Sequence, residues 1–196
     1  MVLHDADIRE PLFEFLDELY GKNRIIEEKT IGKSRADAVM VTQEALYGIE
    51  IKSDADTYAR LARQVKDYDK YYDYNYVVVG TSHAMHIREH VPDYWGIITV
   101  ELEGNRIDFY VLRQPECNPK VTWKKKLEIL WRPELAEIQE LGHMPKYKQK
   151  SKAFVIGKIN EWLENGTLNE DEVRRQISEC LFERDYNMME NSLHKR

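Results

Sequence analysis

Residues 35 to 54 read R-A-D-A-V-M-V-T-Q-E-A-L-Y-G-I-E-I-K-S-D. Two short apolar runs, each suited to a strand, flank the turn-forming T-Q-E-A, so the segment predicts a hairpin. Each run carries a carboxylate, Asp37 in the first and Glu50 in the second, and Lys52 follows two positions later. Side chains two apart on a strand share a face. Glu50 and Lys52 therefore project together, while Ile49 and Ile51 turn to the opposite face and the core. Pairing of the two strands would bring Asp37 beside Glu50. A carboxylate at a strand centre is costly to desolvate unless it is paired or binds a cation.

Two converging carboxylates, with the backbone carbonyl of Ile51, make a hard oxygen site of the kind Mg²⁺ prefers. Lys52 beside such a cation would orient water, lower its pKa or stabilise charge on a pentacovalent phosphate. The same residues also fit a partly exposed sheet edge on which Asp37, Glu50 and Lys52 form ordinary ion pairs.

Outward from this hairpin, a helical period over residues 7–20 ends at Gly21, with Pro11 expected in or near its first turn. A strand is expected over 24–31, then strands over 36–41 and 46–52. Helical spacing returns over 54–72, with Asp54 or Asp56 as a cap. V-V-V within 74–79 suits a strand covered on both faces. A short helix over 82–90 precedes strands at 95–100 and 106–112, joined by a turn at Glu103, Gly104 and Asn105. The turn-rich Q-P-E-C-N-P at 114–119 marks a boundary. Beyond it, residues 122–130, 133–141, 151–164 and 169–184 all read as helix. The order predicts an α/β core over 1–114, with a mixed sheet flanked by helices, and an all-helical region over 120–196.

Composition narrows the function classes. The 196 residues are 42% hydrophobic and 33% charged, which suits a soluble globular protein. Apolar runs are too short to cross a membrane, and the polar N-terminus is not a signal peptide. Together with Cys117 and Cys180 far apart and outside any CxxC pairing, this predicts a reducing cytoplasm and no zinc site. The net charge of −6 is unevenly spread. Residues 1–119 hold 14 basic and 22 acidic side chains, whereas residues 120–165 hold 10 basic and 6 acidic. A basic block behind an acidic front half can guide a polyanion. His83, His86 and His90 lie near one helix face without a compelling ligand partner, and read as surface, core or substrate contacts.

The pattern D-x12-E-x-K across two adjacent strands, after one helix and before another, resembles the PD-(D/E)XK nuclease superfamily. Alanine, not proline, precedes Asp37. The resemblance implies a restriction-endonuclease-like core in which Asp37 and Glu50 bind Mg²⁺, with Mn²⁺ able to substitute, and Lys52 assists the attacking water. Q-V-K-D-Y in the next helix resembles the Q-x3-Y element of several branches. It implies that Gln64 supports the site and that Tyr68 faces the metal or the DNA, with core packing the alternative for Tyr68. Many members add a carboxylate from the first helix, for which Glu10 or Glu14 is best placed and Glu28 a further candidate. Arg35 would contact a phosphate or pair with Glu50 or Glu28. D-I-R-E-P-L, I-K-S-D-x-D-T and P-D-Y-W-G-I extend the likeness to a small bacterial and phage family in that superfamily.

In the tail, P-E-L-A-E-I-Q-E-L-G, K-Y-K-Q-K-S-K and A-F-V-I-G-K-I-N-E-W-L are similar to the SAP-type helix-extended-helix module. That likeness implies phosphate contacts from Lys146, Lys148, Lys150 and Lys152. The expected function is a Mg²⁺-dependent deoxyribonuclease acting on DNA, duplex or branched, with a homodimer allowed. The alternatives are a DNA-binding protein that keeps the fold without catalysis, and a structural or partner-binding α/β domain.

Overall fold

The computed structural model describes residues 3–53, 56–104 and 106–184. Asp54, one expected helix cap, and Asn105 of the expected turn lie outside them. The elements run α1 (Asp5–Tyr20), β1 (Arg24–Ile31), β2 (Ser34–Val41), β3 (Leu46–Lys52), α2 (Leu61–Tyr71), β4 (Tyr74–Gly80), α3 (Ala84–Ile87), β5 (Gly96–Glu103), β6 (Arg106–Arg113), α4 (Trp123–Glu128), α5 (Arg132–Leu141), α6 (Lys152–Glu164) and α7 (Glu170–Glu183). The six strands form one sheet in sequence order. β1, β2 and β3 are antiparallel, β3, β4 and β5 parallel, and β6 antiparallel to β5. The expected α/β class, with a mixed sheet flanked by helices and a helical C-terminal region, is what the chain adopts.

Three local readings change. α1 begins at Asp5, so Pro11 lies inside it and not in its first turn. There it removes one backbone donor from the helix ladder. α2 starts at Leu61 after a 3-10 turn at Tyr58–Arg60, later than the helical spacing suggested. The helix expected over 82–90 shrinks to a 3-10 turn at Thr81–His83 and the single-turn α3.

The sheet is covered on both faces. Ile8, Leu12 and Leu16 of α1 pack on Ala38, Met40, Ile49, Ile51, Tyr76 and Val78. On the other face Leu61, Val65, Tyr68 and Tyr72 of the α2 segment meet Val39, Val77, Val79 and Ile97. The same apolar cluster runs on through Leu127, Leu130, Ile138, Ile159 and Ile177. The turn-rich segment near residue 115 thus separates sheet from helices but not one core from another. Polar anchors fix this join. The Lys126 ammonium donates to both Asp73 oxygens at 2.6 Å, and Arg174 adds a contact at 3.1 Å. Arg184 and Glu134 form a second buried pair. Among the described residues no helix is long and apolar enough to cross a membrane.

Candidate active site

The site lies where β2 and β3 part. Their ladder holds from Val41 opposite Leu46 to Ala38 opposite Ile49, then stops. β2 continues with β1 as its partner, and β3 with β4. Asp37 sits at this fork, where its Oδ2 accepts the Ile51 N–H at 2.8 Å. A residue's N–H and C=O leave a strand on the same side. The Ile51 carbonyl therefore points into the same gap. The fork opens into a cleft of about 550 Å³ lined by Asp37, Glu50, Ile51, Lys52 and Gln64.

Glu50 is fully buried on the α2 side, and its partners come from its own strand and from α2. Its Oε1 accepts from Lys52 Nζ and from Gln64 Nε2. Its Oε2 accepts the Tyr68 hydroxyl at 2.7 Å, which also lies 3.0 Å from the Ile49 carbonyl. With one proton, the phenol serves one acceptor at a time, and the carboxylate is the closer and the more basic. Burial, reinforced by the Glu50 and Asp37 charges, pushes the Tyr68 phenol well above its usual range, so it stays a donor. Gln64 Oε1 is buried with no partner among the described residues.

Asp37 carries the shift that matters for chemistry. Burial, and then the Glu50 charge, raise its carboxyl from 3.8 to about 7. The Ile51 N–H and Lys52 act in the opposite direction and are outweighed. A carboxyl so raised marks a place where negative charge is under-compensated, which suits a bound cation.

The expected residues Asp37, Glu50, Lys52, the Ile51 carbonyl and Gln64 converge. Others do not. Glu10 and Glu14 are exposed and do not line the cleft. Helical residues advance by about 100° each, so a helix that aims Asp5 and Arg9 inward turns its neighbours away. Arg9 bonds Asp5 at 2.8 Å, Glu27 and Glu28 at 3.1 Å each, and the Asp37 carbonyl at 3.1 Å, and its Nη2 lies 3.7 Å from Asp37 Oδ1. Glu28 borders the cleft in the left-handed region at φ 56°, a conformation that strains a non-glycine residue. Tyr68 is fully buried and bonded to Glu50, which is the core-packed alternative. Arg35 forms the alternative pair, with Glu28.

The rim of the cleft carries Lys33, Arg60 and Arg63, exposed and with no ion pair among the described residues. Sequence reading passed over them because isolated surface cations have no periodic signature. The turn bearing Lys33 is fixed by Asp67 of α2, which accepts from Lys33 N at 3.2 Å and Ser34 Oγ at 2.7 Å. A Cβ on Gly32, at φ 54°, would stand 2.8 Å from Asp67 Oδ1, so the turn admits only glycine there.

The tail lysines are less available than their spacing suggests. Lys152 donates to the Glu128 carbonyl at 2.7 Å, Lys146 pairs with Glu140, and Lys150 lies over Phe154. Of the four, Lys148 alone is exposed with no side-chain hydrogen bond, ion pair or ring contact among the described residues. His83 Nδ1 contacts the Tyr58 hydroxyl at 3.0 Å and the His90 ring packs on Tyr58. Among the described residues no three His, Cys, Asp or Glu side chains form a metal-holding group. What the fork offers a cation is two carboxylates and a carbonyl.

Residues 2–196 match a family model described as Bacteriophage P4 protein cII, and the chain belongs to that family. No curated protein and no solved structure matches it.

Proposed function

We propose that this member of the bacteriophage P4 cII family hydrolyses phosphodiester bonds in DNA with the help of Mg²⁺, for which Mn²⁺ can substitute. The observation that carries this reading is the fork itself. A buried Glu50–Lys52 pair and an Asp37 carboxyl raised to about 7 face one open cleft.

Asp37, Glu50 and the Ile51 carbonyl would hold the cation, and the donor set fits it: oxygen only, with two carboxylates and one orphaned amide oxygen nearby. Bound there, the cation supplies positive charge against the phosphate and makes water more acidic. The protein's own groups do the rest. Gln64 and Tyr68 fix both oxygens of Glu50, so that carboxylate is set before substrate arrives. Lys52 gives one of its three N–H donors to Glu50 and has others to orient water or meet a phosphate oxygen. Loss of the Asp37 proton, near neutral pH, switches the site to its cation-binding form. Lys33, Arg35, Arg60 and Arg63 at the rim would meet the flanking phosphates.

A second reading has its own support. Lys52, Gln64 and Tyr68 already engage both oxygens of Glu50, and Arg9 leans on Asp37. A network satisfied in this way suits a DNA-binding protein without catalysis. One assay separates the two: incubation of supercoiled, linear and single-stranded DNA with Mg²⁺, Mn²⁺ or EDTA. Cleavage that needs the metal and disappears in K52A supports hydrolysis. Salt-sensitive binding without cleavage, even in Mn²⁺, supports the second reading.

A further inference from the structure

A cavity of about 820 Å³ lies at the opposite end of the strands from the fork. Its floor is aromatic. Tyr47 and Tyr74, neighbours across the parallel β3–β4 ladder, stack with ring centres 4.8 Å apart and planes within 17°. Tyr20 leans on Tyr47 at 5.0 Å, whereas among the described residues Tyr74 has a ring contact with Tyr47 alone and lines the cavity. Its wall is basic. Lys22 and Arg175 are exposed, Arg175 with no ion pair among the described residues, and Arg174 is held by Asp73 and the Trp123 ring.

We propose that this cavity binds a nucleoside phosphate, either a free mononucleotide or the terminal nucleotide of a single strand. Aromatic rings that line a cavity gain most from another flat ring, which a nucleobase supplies. The guanidinium groups match phosphate geometry, and Arg174 is oriented in advance by contacts inside the fold. Gln43 and Glu44 on the β2–β3 turn also line the cavity and offer polar groups to a base edge. The cavity shares no lining residue with the fork cleft. Tyr47 faces the α1 layer of the sheet and Glu50 the α2 layer, so the two sites are separate.

The test is titration calorimetry of the full chain in EDTA, which suppresses cleavage, with dAMP and with a 5′-phosphorylated thymidine hexamer. Binding of either probe by the parent is expected to weaken about tenfold in Y74L and about fivefold in R175A. R63A, at the fork, should keep dAMP affinity. Arg175 is exposed, so its variant keeps the fold even if loss of the Tyr74 ring does not. Equal affinity for the two probes identifies the free mononucleotide as ligand, and a hexamer at least about tenfold tighter identifies a strand end. Either outcome supports the site. No binding of either probe, or parent-like affinity in both variants, would overturn it.

Discussion

Asp37 is one carboxylate for which a proton and, in the proposed function, a cation compete. Its proton is held to about 7 in the folded chain against 3.8 for the ordinary group. Its contribution to stability is therefore full below about pH 4 and is lost as pH rises through about 7. D37N keeps an acceptor for the Ile51 N–H and removes the charge. Urea denaturation should find D37N more stable than the parent by about 2 kcal/mol at pH 8, with the gap closed near pH 4. A gap that does not change with pH would refute that assignment. The same competition predicts that the acidic limb of the cleavage profile sits near 7 at low Mg²⁺ and moves down as Mg²⁺ rises. At this scale the sequence was readable where strand parity governs. Asp37, Glu50 and Lys52 follow from alternation in two short strands. Asp5 and Arg9 do not, because α1 bears charge at Asp5, Asp7, Arg9, Glu10, Glu14, Asp17 and Glu18, and only packing selects which of them face inward.

Between elements, the decisive contact is the close approach of α2 to β3. A Cβ at Gly48 would stand 2.3 Å from the Tyr72 ring, 2.6 Å from the Tyr68 ring and 2.7 Å from Asn75 Oδ1. Glycine at this strand position lets Tyr68 and Gln64 reach Glu50. G48A should cost about 1–3 kcal/mol in urea denaturation and reduce cleavage as well, because α2 must move off the sheet. Parent-like stability and rate in G48A would show that the approach is not needed. The succession of strands and helices along the chain could be read from periodicity. The fork could not, since residue patterns specify which face a side chain takes but not where two strands stop pairing. The tail lysines illustrate the same limit. Their alternate spacing suggests one basic surface, yet Lys152 is drawn inward by the end of α4.

Across the whole molecule, the C-terminal helices complete the sheet's α2-side core and are tied to it through Asp73. That carboxylate takes the Lys126 ammonium, the Arg174 guanidinium and the Leu46 N–H while 1% exposed. Removing Lys126 leaves a buried charge only partly matched, so K126A should lose about 3 kcal/mol and melt in a single transition. A chain ending at residue 119 should show no cooperative melt by circular dichroism, because the shared cluster would lose Leu127, Leu130, Ile138, Ile159 and Ile177. A fragment that melts like the parent would contradict this shared core. The composition shift after residue 114 was visible in the sequence, but the continuity of the core was not, since it depends on which helix faces meet. The central claim concerns the fork, and its most direct test is E50Q, which preserves the shape of Glu50 and removes its charge. Single-turnover cleavage of supercoiled DNA in Mg²⁺, with DNA affinity measured in parallel, should fall by about 100-fold or more while affinity is kept. Cleavage by E50Q at the parent's rate, or a parent that cuts no DNA in Mg²⁺ or Mn²⁺, would contradict the account.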